Sequence, residues 1–321
     1  MNKLIQKYRG IFRKFKPSYV LYNLWKINKL KHNKILYKKY GIDKSIYSSL
    51  SHKDIKIPAT EIPWLDKYDA KEKLAEHPAT STFPESIQNQ FHQWIDKGYI
   101  VLEKYFSEQQ VDETYKEVES LFKQQKIDYN YTGGRIMDAF RYSEKVNIMM
   151  RDKELLRLIS FLLGKETDLF QTINFFEGSQ QNPHSDFIHM STEPKGYLVG
   201  VWVALEDIDT DAGPVYYYPG SHRLPYVFNE DFETGNTSLW LGANNYTNYE
   251  IKIQQLIKEH NLQPVEFTAK KGDVLIWHAN LIHGGKKINR KGATRKSLVG
   301  HYFSKGVLCY HEITERPAII E

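Results

Sequence analysis

The chain has 321 residues and a single cysteine, Cys309, which excludes a disulfide framework and any thiolate-rich zinc or iron–sulfur site. Aromatic residues make up 14%, too many for a disordered chain, and the length suits one large domain with a sizeable core. The net charge of +5 hides an asymmetry: residues 1–42 carry twelve Lys or Arg and no acid, so the rest of the chain carries −7. A mildly acidic body with no base-reading module argues against nucleic acid as a partner. The basic head suits an anionic membrane surface or an acidic carrier. No apolar run is long enough to span a bilayer, and Lys and Arg interrupt any secretory-type apolar region. The expected location is cytoplasmic and peripheral to a membrane.

Residues 1–84 read as a basic helical extension. Leu4, Tyr8, Ile11, Phe12 and Phe15 recur at helical spacing, Pro17 breaks the pattern, and 19–40 is again apolar and basic. Residues 50–84 look irregular, punctuated by Pro58, Pro63, Pro78 and Pro84. Residues 85–321 read as the main domain. The pattern predicts a helix over 86–97, a strand over 99–102, a helix from a Ser107 cap to Gln125, and a helix over 152–163 stopped by Gly164. Strands follow at 169–176, 197–205, 215–218, 265–268, 274–278 and 297–303. The fold class expected is mainly β, a cupin-like jelly roll at about 167–305 with flanking α-helices. An aromatic insert, 225–262, interrupts the strands. It holds a short helix near Ile251–Ile257 and reads as a lid or a packed surface excursion.

His184 and Asp186 stand two residues apart in an extended stretch, so both side chains point one way. One imidazole and one carboxylate suit iron(II). A second histidine completes a facial set with three open positions, enough for a bidentate keto acid and O2. Two residues compete for that place, His278 and His283, both in a strand-like run from Gly272. Gly284 and Gly285 after His283 let the chain turn closely beside a metal. Arg295 opens the next strand, and its planar fork matches the distal carboxylate of 2-oxoglutarate. By alternation Arg295, Ser297, Val299 and His301 share a face, so Arg295 and Ser297 together grip one carboxylate.

The ordered set His184-x-Asp186, Trp202 through Asp207, Pro219-Gly220-Ser221-His222, Gly272-Asp273, His283-Gly284 and Arg295 resembles the phytanoyl-CoA dioxygenase family from about Gly98 to Phe303. The resemblance implies a double-stranded β-helix, Fe(II) at His184, Asp186 and His283, and 2-oxoglutarate as co-substrate at Arg295. It implies a co-substrate pocket lined by Trp202 and touched from the preceding strand by Gln171, Ile173 or Asn174; a further basic contact would correspond to Arg135. Ser185, between the first two ligands, is expected to face outward, and His222 to order its loop. An intact Asp186 favours hydroxylation over halogenation. The function expected is hydroxylation, with O2, of a lipid-, acyl- or saccharide-linked small molecule. The alternative is a metal-binding cupin-like protein or isomerase without oxygenase activity.

Overall fold

The computed structural model describes residues 14–130 and 134–320. Leu4, Tyr8, Ile11 and Phe12 lie outside them. Among the described residues the first helices are α1 (Lys16–Trp25) and α2 (Asn33–Lys39). Pro17 sits in the first turn of α1, just after extended Phe15, because a helix start has no partner for the N–H that proline lacks. A short α3 (Ala70–Glu76) crosses the stretch expected to be irregular. Then come α4 (Glu85–Lys97) and β1 (Tyr99–Leu102), with Gly98 at φ 80° making the tight turn between them. Next is α5 (Glu108–Lys123), opened by a reciprocal Ser107–Gln110 capping box. After β2 (Ile136–Met137) follow α6 (Glu144–Met150), missed by the sequence reading, and α7 (Lys153–Leu163).

The rest is chiefly strand: β3 (Thr167–Phe175), β4 (Ser191–Glu193), β5 (Leu198–Ala204), β6 (Val215–Tyr217), then α8 (Asn245–Glu259) within the insert. Next come β7 (Val265–Phe267), β8 (Val274–His278), β9 (His283–Gly285), β10 (Ser297–Ser304), β11 (Leu308–His311) and β12 (Arg316–Pro317). All pairings are antiparallel. A six-stranded sheet, β1-β8-β5-β10-β3-β2, faces a three-stranded sheet, β7-β6-β9. This is the expected jelly roll, a double-stranded β-helix with flanking helices. β11 and β12 lie beyond the last strand read from sequence and form a third sheet with β4.

Alternation along the large sheet splits its side chains between two cores. Val201, Val203, Val274, Ile276, Leu298 and Tyr302 join the layer formed with α4 to α7. Trp202, Ala204, Leu275, Trp277 and Val299 point the other way, against Val215, Tyr217 and Phe267 of the small sheet. Every residue of β5 is buried, which explains its unbroken apolar run. Gly200 in that run leaves room for the Trp277 indole: a Cβ there would lie 2.4 Å from its ring atoms.

The N-terminal segment is packed down. Leu30, Tyr37, Tyr40 and Leu50 cluster with Leu308 and Tyr310 of β11, and buried Lys16 pairs with Glu315 at 2.5 Å. Glu312 ties three segments together, accepting from the backbone N–H of His52 at 2.8 Å and of Asn229 at 3.1 Å. Burial pushes its pKa from 4.5 up to about 7, against the lowering effect of those two N–H groups. A raised folded-state pKa means the native chain holds a proton that the unfolded chain has released. Glu312's protonated-state contribution is therefore full below pH 4.5 and is lost as pH rises to about 7. Thermal melts across that window should show wild-type stability falling relative to Glu312→Gln. Parallel pH profiles for the two would contradict this role.

Candidate metal centre

The HxD segment reaches the mouth of the jelly roll because His184 bridges His283 of β9, with each backbone N–H donating to the other's carbonyl at 2.9 Å. That pairing adds a short rung to the small sheet and aligns the two imidazoles, whose ring centres are 4.5 Å apart. Asp186 follows on the same side, opening a tight helical turn over Asp186–Ile188. One ligand atom from each of His184, Asp186 and His283 lies within 4.8 Å of the others, and all three residues are buried.

Hydrogen bonds fix the donor atoms. His184 Nδ1 donates to the Asn182 carbonyl at 2.9 Å, and His283 Nδ1 to the Leu281 carbonyl at 3.0 Å. A carbonyl only accepts, so each Nδ1 carries the proton and each Nε2 lone pair is left for a metal. Both Nε2 atoms face Asp186 Oδ1, at 3.9 and 3.7 Å. The other carboxylate oxygen, Oδ2, accepts from Trp277 Nε1 at 2.7 Å and lies 3.4 Å from His301 Nε2. Burial, reinforced by His283, holds His184 well below its usual pKa, so it is neutral. Burial alone would raise Asp186, but His283 and His301 outweigh it and keep the carboxyl well below the usual range. Two imidazoles, each with its Nε2 turned toward Asp186, and an ionised carboxylate form a donor set that fits a divalent iron-type ion with open positions. Trp277→Phe removes one clamp on Oδ2. It should weaken metal affinity by about 10- to 100-fold, read by metal titration, because groups that orient ligands carry losses of that size.

His278 is not part of this centre. The run from Gly272 is two strands, not one: β8 ends at His278 in the large sheet, and β9 begins at His283 in the small one. His278 Nδ1 accepts from the Asn280 backbone N–H at 3.0 Å, and its Nε2 meets Asp66 at 3.1 Å, away from the cavity. Gly284 and Gly285 make no sharp turn either; they are extended residues of β9. Their smallness serves side chains instead. A Cβ on Gly284 would lie 2.6 Å from the Tyr216 hydroxyl, and one on Gly285 2.6 Å from Arg295 Nη2.

The triad opens into a cavity of about 320 Å³ that Arg295, Ser297, Trp202, Gln171 and Ile173 also line. Asn174, one residue on, faces away from it, as strand alternation requires. Arg295 is 3% exposed. Its Nη2 lies 3.3 Å from Ser179 Oγ, while its Nε and Nη1 find no partner among the described residues. Burial lowers its pKa to about 10, which leaves it charged at neutral pH. A buried guanidinium with two unpaired N–H edges is costly unless an anion completes it. Arg135 also lines the cavity, from an irregular segment before β2 rather than from a helix, and donates to Gln181 at 2.7 Å.

Ser185 is not outward-facing. It is 2% exposed, and its backbone N–H donates to Tyr249 of α8 at 2.9 Å. Tyr246 of the same helix accepts from Gln181 at 2.9 Å. The insert thus braces the ligand loop and also walls a second cavity of about 620 Å³. The two cavities share Arg135, Phe175, Ser179, Gln181 and His189, so the second is a vestibule to the first. His222 meets the Ile95 carbonyl at 3.2 Å and lines neither cavity. Sequence reasoning gave no role to Trp277, His301 or Gln181. His301 was placed on the Arg295 face by alternation, and that was its only signal.

A family model described as phytanoyl-CoA dioxygenase (PhyH) matches residues 94–297. Peroxisomal phytanoyl-CoA dioxygenase of Mus musculus is 25% identical over 158 residues, 48% of this chain and 41% of that protein. Phytanoyl-CoA dioxygenase domain-containing protein 1 of Rattus norvegicus is 40% identical over 169 residues, 52% of each. The matched part thus spans about half or less of these relatives. Among solved structures, the epimerase SnoN, in complex with Fe3+ and alpha ketoglutarate, superposes with a TM-score of 0.55 at 21% identity, covering 73% of this chain and 88% of SnoN. EctD from S. alaskensis, with 2-oxoglutarate and 5-hydroxyectoine, gives a TM-score of 0.57 at 20% identity, covering 82% and 92%. At such identities these likenesses establish the shared fold.

Proposed function

Since this chain belongs to the phytanoyl-CoA dioxygenase family, we propose that it is an Fe(II)- and 2-oxoglutarate-dependent oxygenase that hydroxylates a C–H bond of a lipid-, acyl- or saccharide-linked small molecule. The observation that carries this reading is the buried Arg295, with Nε and Nη1 unpaired, lining the same cavity as the His184, Asp186 and His283 triad. A metal-binding protein or isomerase with no keto acid has no use for that guanidinium. His184, Asp186 and His283 would hold the iron. Arg295 would hold the distal carboxylate of 2-oxoglutarate, with Ser297 on the same face of β10 and Trp202 and Gln171 along the walls. Bound iron with its keto acid supplies the oxidising power, O2 being reduced as the keto acid is decarboxylated to succinate.

The protein's own part is positioning and insulation. Trp277 and His301 hold Asp186 Oδ2, so Oδ1 is left toward the histidines. The carbonyls of Asn182 and Leu281 fix the imidazole tautomers. Val215, Val299, Phe175 and Trp202 give the cavity apolar walls that limit water beside the reacting centre. The deciding assay supplies purified protein with Fe(II), ascorbate and 2-oxoglutarate and follows succinate. Metal-dependent succinate formation, even uncoupled from a substrate, supports the reading. Iron binding with no 2-oxoglutarate consumption under any condition contradicts it.

A further inference from the structure

The first described helix is inside out. A surface helix ordinarily turns its apolar face inward and its polar face to water. In α1 the buried positions include Lys16 and Asn23, 6% and 3% exposed. Lys16 pairs with Glu315, and the Asn23 amide donates to the Tyr47 carbonyl at 3.0 Å. The outward positions are Leu21, Leu24 and Trp25, 69%, 40% and 75% exposed, flanked by Tyr22 at 48%. At about 100° per residue these four fall on one arc, opposite Asn23. A lone exposed leucine needs no explanation, but four large apolar side chains in one patch do.

The segment that carries the patch is cationic. Ile35 of α2 is 79% exposed, and Lys31, Lys34 and Lys38 around it are exposed with no acidic partner among the described residues. No Asp or Glu occurs between residues 14 and 42. Lys26 Nζ lies 4.4 Å from the centre of the Trp25 ring, and the Tyr22 and Trp25 rings are 5.9 Å apart.

We propose that α1 and α2 dock this protein peripherally on an anionic lipid surface. Leu21, Leu24 and Trp25 enter the headgroup–acyl boundary, and the lysines lie against lipid phosphates. Charge of a single sign around an apolar patch is what an anionic bilayer complements, and Trp, Tyr and Lys are the side chains suited to that boundary. No helix of the described residues is long and apolar enough to cross a membrane, so α1 lies in the interface plane. Tyr19 of the same helix and Lys14 just before it line the vestibule. Helix α1 thus carries the docking patch on one side and part of the vestibule wall on another.

Sedimentation of the full-length protein with vesicles tests this, using phosphatidylcholine alone and phosphatidylcholine with phosphatidylserine. The expected result is binding to the serine-containing vesicles only, weakened by added salt. Leu21→Glu with Trp25→Glu should reduce vesicle binding by more than about tenfold, since it places two charges in the apolar boundary. Lys31→Glu with Lys34→Glu should also reduce it, and circular dichroism should show both variants folded. Equal binding to the two vesicle types, no binding to either, or binding unchanged in both variants would overturn the proposal. Self-association that Trp25→Glu abolishes, without vesicle binding, would assign the patch to a second copy of the chain and overturn it too.

Discussion

His184→Ala should abolish stoichiometric metal binding and succinate formation together, whereas His278→Ala should leave both in place. Both histidines are buried. They differ in what their Nε2 atoms face. In His184 that atom faces Asp186 Oδ1 at 3.9 Å with no hydrogen-bond partner among the described residues, and Nδ1 is already committed to the Asn182 carbonyl. Removing it takes one of three donors from a divalent ion. Losing a group that only orients a ligand costs about 10- to 100-fold in affinity, so losing a ligand should exceed that range. In His278 both nitrogens are spent on Asn280 and Asp66. His278→Ala should therefore destabilise the fold by about 1–3 kcal/mol, the cost of leaving buried polar groups unpaired, and should leave metal affinity unchanged. Metal titration with a thermal melt separates the outcomes. Loss of metal in His278→Ala with retention in His184→Ala would reverse the assignment.

The second large effect is at Arg295. Arg295→Ala should leave Fe(II) affinity near wild type and raise the 2-oxoglutarate KM steeply. Truncating one side of a buried charge pair costs about 2–5 kcal/mol, or roughly 30- to several-thousand-fold. Arg295→Lys should recover little, because an ammonium cannot reproduce two parallel N–H donors. Gly285→Ala offers an independent route to the same loss, since its Cβ would fall 2.6 Å from Arg295 Nη2 and displace the guanidinium with no change in charge. Normal 2-oxoglutarate kinetics in Arg295→Ala would remove the residue from the co-substrate site.

The strands were legible where burial on both faces made their composition unmistakable, as in β5 and β8. Helix ends were legible where capping chemistry marked them, as at Ser107 and Gly164. β11 and β12 were not, because both are short, β11 pairs with β4 over a hundred residues away, and β12 pairs with β11 alone. In the metal centre, the pairing of His184 with Asp186 and the candidacy of His283 were readable from spacing. The separation of His283 from His278 was not, since it depends on the chain changing sheets at Ala279–Ile282. Nor were Trp277 and His301 readable as the groups that hold Asp186. They come from two strands of the large sheet, and only register sets them beside a loop that belongs with the small one. Ser185 misled for a related reason: alternation turned it away from the metal, and the insert helix α8 occupies that side.

The central claim is that one cavity holds both a metal and a keto acid, and anaerobic calorimetry tests it most directly. Titrating 2-oxoglutarate into the Fe(II)-loaded protein should give stoichiometric, saturable binding that disappears without Fe(II) and in Arg295→Ala. Saturable Fe(II) binding with no heat from 2-oxoglutarate, or 2-oxoglutarate binding indifferent to both the metal and Arg295, would contradict the account.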